Sequence, residues 1–198
     1  SACGQLAVRY EMDLREEGTQ VDIVQLLDDG CHAGVDLACV MLGVRYEKGF
    51  MVAQDHERAR QMYERGCGLP DRLGNPEACT LLGALYQKGL GVEPDVRRAS
   101  TLYEAGCDHR YAIACTHLGD LYESGNGVEQ RVDESLKLYE MACSGGHGQA
   151  CFNVALRHDK GGGIPQDKSR AAMLYDVSCS SGYERGCNSL GVMFSEGD

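Results

Sequence analysis

The placement of cysteine constrains this chain more than any other feature. Cys3, Cys39, Cys79, Cys115, Cys151 and Cys187 are separated by 36, 40, 36, 36 and 36 residues, and a second cysteine follows each of the first five by 28 (Cys31, Cys67, Cys107, Cys143, Cys179). Five identical offsets mark an internal repeat, and a period of this length means a stacked array of one small supersecondary unit. The units fall at about 1–36, 37–76, 77–112, 113–148, 149–184 and a partial 185–198, forming a single array over 1–198.

Other positions keep the register. Three residues after the marker cysteine stand Leu6, Leu42, Leu82, Leu118, Val154 and Leu190, followed by the small residues Ala7, Gly43, Gly83, Gly119, Ala155 and Gly191. Seven after it come Tyr10, Tyr46, Tyr86, Tyr122, His158 and Phe194. Offsets 0, 3, 4 and 7 share one face of an α-helix, here helix A, and the small residue on that stripe invites close approach by a neighbour. Glycines then break the helix at Gly89/Gly91, Gly125/Gly127 and Gly161/Gly163. Asp55, Asp95 and Asp167 stand where an N-cap belongs. Helix B repeats Ala59, Ala99, Ser135 and Ala171, then Met62, Leu102, Leu138 and Leu174, then Tyr63, Tyr103, Tyr139 and Tyr175, again one apolar stripe. The expected fold is all-α, a solenoid of helix-turn-helix repeats of 36–40 residues.

Two irregularities accompany the pattern. The first unit is degenerate, with Asp13 and Arg15 at the turn and Leu27 in place of the tyrosine, and four extra residues lengthen the loop Gly68–Asn75. The final helix A lacks a partner B, so it is either a cap or part of a longer array. With 30 acidic against 19 basic residues the net charge is −11, which opposes nucleic acid as a partner. No run of 18 apolar residues exists to span a membrane.

The end of helix B and the start of the next helix A lie at the same end of a hairpin array. Bridges across that loop would join Cys31–Cys39, Cys67–Cys79, Cys107–Cys115, Cys143–Cys151 and Cys179–Cys187, leaving Cys3 single. A rival scheme pairs within each 28-residue span and strands Cys187, and parity does not choose between them. Cys107, His109, Cys115 and His117 could together hold zinc, but the other pairs lack matching histidines. Disulfides imply an oxidising compartment.

Ala78-Cys79-Thr80-Leu81-Leu82-Gly83-Ala84-Leu85-Tyr86 with Gly89-Leu90-Gly91-Val92 resembles the Sel1-like repeat, a relative of the tetratricopeptide repeat. The paired cysteines are similar to those of the Helicobacter cysteine-rich proteins. The resemblance implies a right-handed α/α superhelix stapled by the short-loop pairing, export from the cell, and adaptor or host-interaction roles. It also implies two alternatives: a secreted β-lactam-binding or weak β-lactamase-like protein, and an assembly factor for respiratory complexes in the mitochondrial intermembrane space.

Serine β-lactamase motifs, a nucleophile elbow, a zinc-protease helix and a phosphate loop are all missing from the sequence. His158 substitutes for the repeat aromatic, His32, His109 and His147 fall in inter-repeat loops, and His56 begins a helix B. Only His117, with Asp120 three residues on, sits on a helix A face turned from the packed stripe. In tetratricopeptide-like arrays that face, at offsets 2, 5 and 9, lines a concave groove. Here it reads Met41, Val44, Lys48; Leu81, Ala84, Lys88; His117, Asp120, Ser124; and Asn153, Leu156, Lys160. These residues vary between repeats while the packing positions do not. Lys48, Lys88 and Lys160 would form a positive strip suited to a peptide with an acidic end. The expected function is a non-enzymatic adaptor, needing no cofactor, that binds a protein or extended peptide in a secreted or periplasmic setting.

Overall fold

The computed structural model describes residues 22–68 and 74–196; Cys3 and the remainder of the first helix A lie outside this range, as does most of the four-residue insertion. Among the described residues there are ten helices and no strand: α1 (Ile23–His32), α2 (Asp36–Lys48), α3 (His56–Cys67), α4 (Pro76–Lys88), α5 (Val96–Asp108), α6 (Ala112–Ser124), α7 (Val132–Ser144), α8 (Gly148–Lys160), α9 (Lys168–Ser180) and α10 (Glu184–Glu196). Odd-numbered helices are B helices and even-numbered ones A helices. Each packs on its sequence neighbours, so the hairpins stack in a line as an α/α solenoid.

The glycine on helix A and the tyrosine on helix B form one joint. A Cβ at Gly43, Gly83 or Gly119 would lie 2.4, 2.8 or 2.6 Å from the ring of Tyr63, Tyr103 or Tyr139, so only hydrogen fits beneath those rings as they stand. The rings are fully buried, as is Tyr175 above Ala155. Burying a phenol demands a hydrogen-bond partner for its hydroxyl. That partner comes from eight residues beyond the marker cysteine, a position with no apolar signature. Tyr63 donates to Glu47 (2.9 Å), Tyr103 to Gln87 (2.7 Å) and Tyr139 to Glu123 (2.8 Å). Tyr175 has Asp159 in the same place.

The turn between A and B is equally regular. Gly49, Gly89, Gly125 and Gly161 end their helices in the left-handed conformation. At the end of the turn the backbone N–H of Asp55, Asp95, Arg131 or Asp167 donates back to the carbonyl of Tyr46, Tyr86, Tyr122 or His158 at 2.8–2.9 Å. Asp55, Asp95 and Asp167 then cap helix B through their carboxylates, accepting from the N–H three residues on at 2.9–3.0 Å; Arg131 supplies no such cap. Gln54, Gln130 and Gln166 reach back to carbonyls in the last turn of helix A at 2.7–2.9 Å.

The sulfurs join the short loops: Cys31–Cys39, Cys67–Cys79, Cys107–Cys115, Cys143–Cys151 and Cys179–Cys187, with Cα atoms 4.6–4.7 Å apart. Each bridge ties a helix B to the following helix A. Cys107 and Cys115 are joined to one another, so neither thiolate is available to a metal. At the far end Gly191 has nothing within 4 Å of a would-be Cβ, and Phe194 is 72% exposed. Gly191 stands at the position that Tyr63, Tyr103 and Tyr139 cover at Gly43, Gly83 and Gly119 in earlier repeats.

Candidate binding face

Among the described residues, helices A of successive repeats approach one another closely along most of the array (α2 with α4, α4 with α6, α8 with α10), whereas helices B do so chiefly at α1 and α3. Between α6 and α8 the approach is made by side chains, described below. Elements nearer their successors lie on the inside of a curve, so helices A line the concave side. Offsets 2, 5 and 9 fall along that side: Met41, Val44, Leu81, Ala84, His117, Asp120 and Asn153 are half-buried, while Lys48, Lys88, Ser124, Leu156 and Lys160 are exposed.

The stripe is one turn longer than those offsets define. Residues two before the marker cysteine, Leu37, Glu77, Ile113, Gln149 and Arg185, continue it at helical spacing. The same 3–4 spacing carried backward would have found them. The extension matters because Leu37, Ile113, Leu156 and Val192, all on this line, keep 38–53% of their surface open. Four of the five large apolar side chains exposed on helices A lie on this line, the fifth being Phe194, while helices B expose Leu26, Val132, Met141, Met173 and Val177.

The lysine strip is weaker than the sequence alone suggests. Lys48 turns back to Glu47 at 2.6 Å and Lys160 to Asp159 at 3.7 Å. These acids belong to the tyrosine-accepting position, so the fold places a carboxylate beside the lysine at each of those points. Lys88 escapes because its neighbour is the neutral Gln87, and its ammonium forms no ion pair among the described residues.

The polar centre of the face lies between α6 and α8. Asp120 Oδ1 accepts from the Tyr139 hydroxyl at 2.7 Å and from Asn153 Nδ2 at 3.4 Å, while Oδ2 accepts from Gln149 Nε2 at 3.4 Å. Burial raises its carboxyl above the ordinary range, with the nearby Glu123 adding to the rise against the hydrogen bonds from Tyr139 and Asn153. Beside it Arg157, 8% exposed, donates to Glu123 at 2.8 Å, to Ser135 Oγ at 3.0 Å and to the Gly162 carbonyl at 3.3 Å. His117 lies over the Tyr103 ring, centroids 5.1 Å apart, and burial together with His147 and Lys88 holds it below its ordinary value. His147 is no solvated loop residue: it is half-buried, within 2.7 Å of Thr116 Oγ1, and burial lowers it too.

A hollow of about 550 Å³ lies elsewhere, at the outer seam between α5 and the turn before α7, lined by Arg97, Glu104, Tyr122 and Arg131. Its charges are largely internal to the fold: Tyr122 donates to Glu104, and Arg131 pairs with Glu129 and Glu134. Among the described residues no cluster of potential metal ligands is present, and no helix is long and apolar enough to cross a membrane.

Comparison with known proteins adds a family pattern to this geometry. The family model described as Sel1 repeat matches residues 36–71, 76–111, 112–147 and 148–183. A search of curated proteins returned no match. Among solved structures, the chain is similar to c5321, a protective antigen of uropathogenic Escherichia coli with an SLR fold (25% identity, TM-score 0.77, covering 93% of this chain and 40% of that one). It is also similar to a Sel1 repeat protein of Oxalobacter formigenes (23% identity, TM-score 0.75, 88% and 76%) and to Helicobacter pylori cysteine rich protein B (25% identity, TM-score 0.50, 65% and 89%). The chain thus spans two fifths of the length of the E. coli protein.

Proposed function

The chain belongs to the Sel1 repeat family, and from that premise we propose that it is a non-enzymatic adaptor of an oxidising, extracytoplasmic compartment that docks a protein segment or extended peptide on the concave face of helices A. The observation that carries this reading is the partition of helix A. One stripe is buried and nearly invariant from repeat to repeat. The other varies far more, reading Met41, Leu81, His117 and Asn153 at one position and Val44, Ala84, Asp120 and Leu156 at the next, and it holds the exposed Leu37, Ile113, Leu156 and Val192 beside the amides of Gln149 and Asn153. A surface released from packing, with apolar anchors among hydrogen-bonding side chains, is suited to an extended chain. Five disulfides favour the oxidising setting, since reducing compartments keep such thiols free.

The test is a display selection of peptides on the oxidised protein, repeated with Leu37→Glu, with Leu156→Glu and with Met173→Glu on the outer face of α9. Selected peptides should be lost with the first two and kept with the third. Equal binding to all three proteins would overturn the concave-face reading.

A further inference from the structure

Among the described residues Asp120 is a charged group with no counter-charge. Its three hydrogen-bond donors, Tyr139, Asn153 and Gln149, are all neutral, and two of the three contacts are long. No ion pair with a described residue reaches it. Arg157, the cation on the facing helix, is committed to Glu123, Ser135 and Gly162. Lys48 and Lys160 are committed to their own neighbours, and Lys88, though without an ion pair among the described residues, acts on His117 and not on Asp120. A half-buried carboxylate loses hydration that neutral donors only partly replace, so it gains from a cation brought to it. The apolar residues along the stripe on either side, Ala84 on α4 and Leu156 on α8, offer surface to an aliphatic stem. The chain as a whole is acidic by 11 charges, which steers a basic partner toward it and an acidic one away.

We propose that the groove between α6 and α8 takes a lysine or arginine side chain of an extended peptide, whose cationic head pairs with Asp120 while Asn153 and Gln149 turn their amides to the peptide main chain. This deepens the docking reading above and rests on it. It reverses the charge preference that the lysine positions alone would suggest. It also makes the charge on Asp120 a feature held for binding, since burial disfavours a carboxylate there even though it accepts the Tyr139 hydroxyl.

The experiment uses peptide libraries with randomised flanks and a fixed central residue: Lys, Arg, norleucine or Glu. Wild type should enrich the Lys and Arg libraries, and the peptides recovered should bind Asp120→Asn about tenfold or more weakly. Thermal melting of Asp120→Asn should be unchanged or higher, because Asn keeps the acceptor for Tyr139 and removes the charge; a purely structural Asp120 would instead lower it. If norleucine or Glu libraries enrich as well as the basic ones, or Asp120→Asn binds unchanged, the inference falls and the groove stands. If no library enriches, the docking reading falls and takes this inference with it.

Discussion

Tyr103 and Tyr139 occupy one position in successive repeats, yet their hydroxyls meet different acceptors, the neutral Gln87 and the carboxylates of Asp120 and Glu123. Hydrogen bonds to charged groups are the stronger kind. Tyr139→Phe should therefore cost about 2 kcal/mol and Tyr103→Phe about 1 kcal/mol, ordered by urea unfolding. Arg157 offers a second internal comparison, because Leu85 and Leu121 stand at its position in repeats three and four. Arg157→Leu should fall within about 1 kcal/mol of wild type, whereas Arg157→Ala should lose about 3 kcal/mol, because alanine leaves a void that leucine fills. The histidines supply a pH dependence. His117 and His147 are held below their ordinary value by burial, so their contribution is intact above about pH 6.5 and is lost as pH falls through the lowered folded values. Asp120, raised, runs the other way: its contribution is present below the ordinary carboxylate range and lost as pH rises through its folded value. Urea midpoints should thus drop between pH 7.5 and 5.5, and the drop should shrink in His117→Phe, which keeps the ring over Tyr103.

At the scale of helices and turns, repetition makes each repeat a control for the next. Asp95→Ala should remove about 1 kcal/mol by exposing the first-turn N–H groups of α5, measured by denaturant unfolding. Met51 holds a positive φ of 63° where later repeats have Gly91, Gly127 and Gly163. Met51→Gly should stabilise by about 0.5–1 kcal/mol, the left-handed strain relieved less the added freedom of glycine in the unfolded chain. The caps were legible in advance, since Asp55, Asp95 and Asp167 recur at one position. The tyrosine-accepting position and the Gln54, Gln130 and Gln166 locks were not, because polar residues at those sites look like ordinary surface until the turn folds them inward. The same blindness affected the groove. Lys48, Lys88 and Lys160 line up in sequence, but whether a lysine is free depends on what precedes it at the site that serves the tyrosine. Asp120 looked exposed because the side chains crossing to it come from the next repeat, 29 and 33 residues away.

For the whole molecule, stability is a sum over hairpins and the seams between them. Each bridge closes a loop of 8 or 12 residues, worth about 2.5 kcal/mol in the chain-entropy account. Five such terms rival the total folding free energy of an ordinary domain, about 5–15 kcal/mol. Circular-dichroism melts with and without reductant should therefore differ far more than any single substitution above, and alkylation should count ten further thiols only after reduction. The bridges also decide how the protein yields under load. They span the short loops and leave the 27 residues of hairpin between Cys39 and Cys67, or Cys79 and Cys107, uncrosslinked. Stretched from its ends, the oxidised chain should lengthen in steps of up to about 90 Å, one hairpin at a time, with the sulfur-tied corners persisting as knots along the thread. An optical-tweezer trace would read the bridging pattern as a ruler, and a protein that tethers two bodies in this way gives slack in fixed portions instead of parting at once.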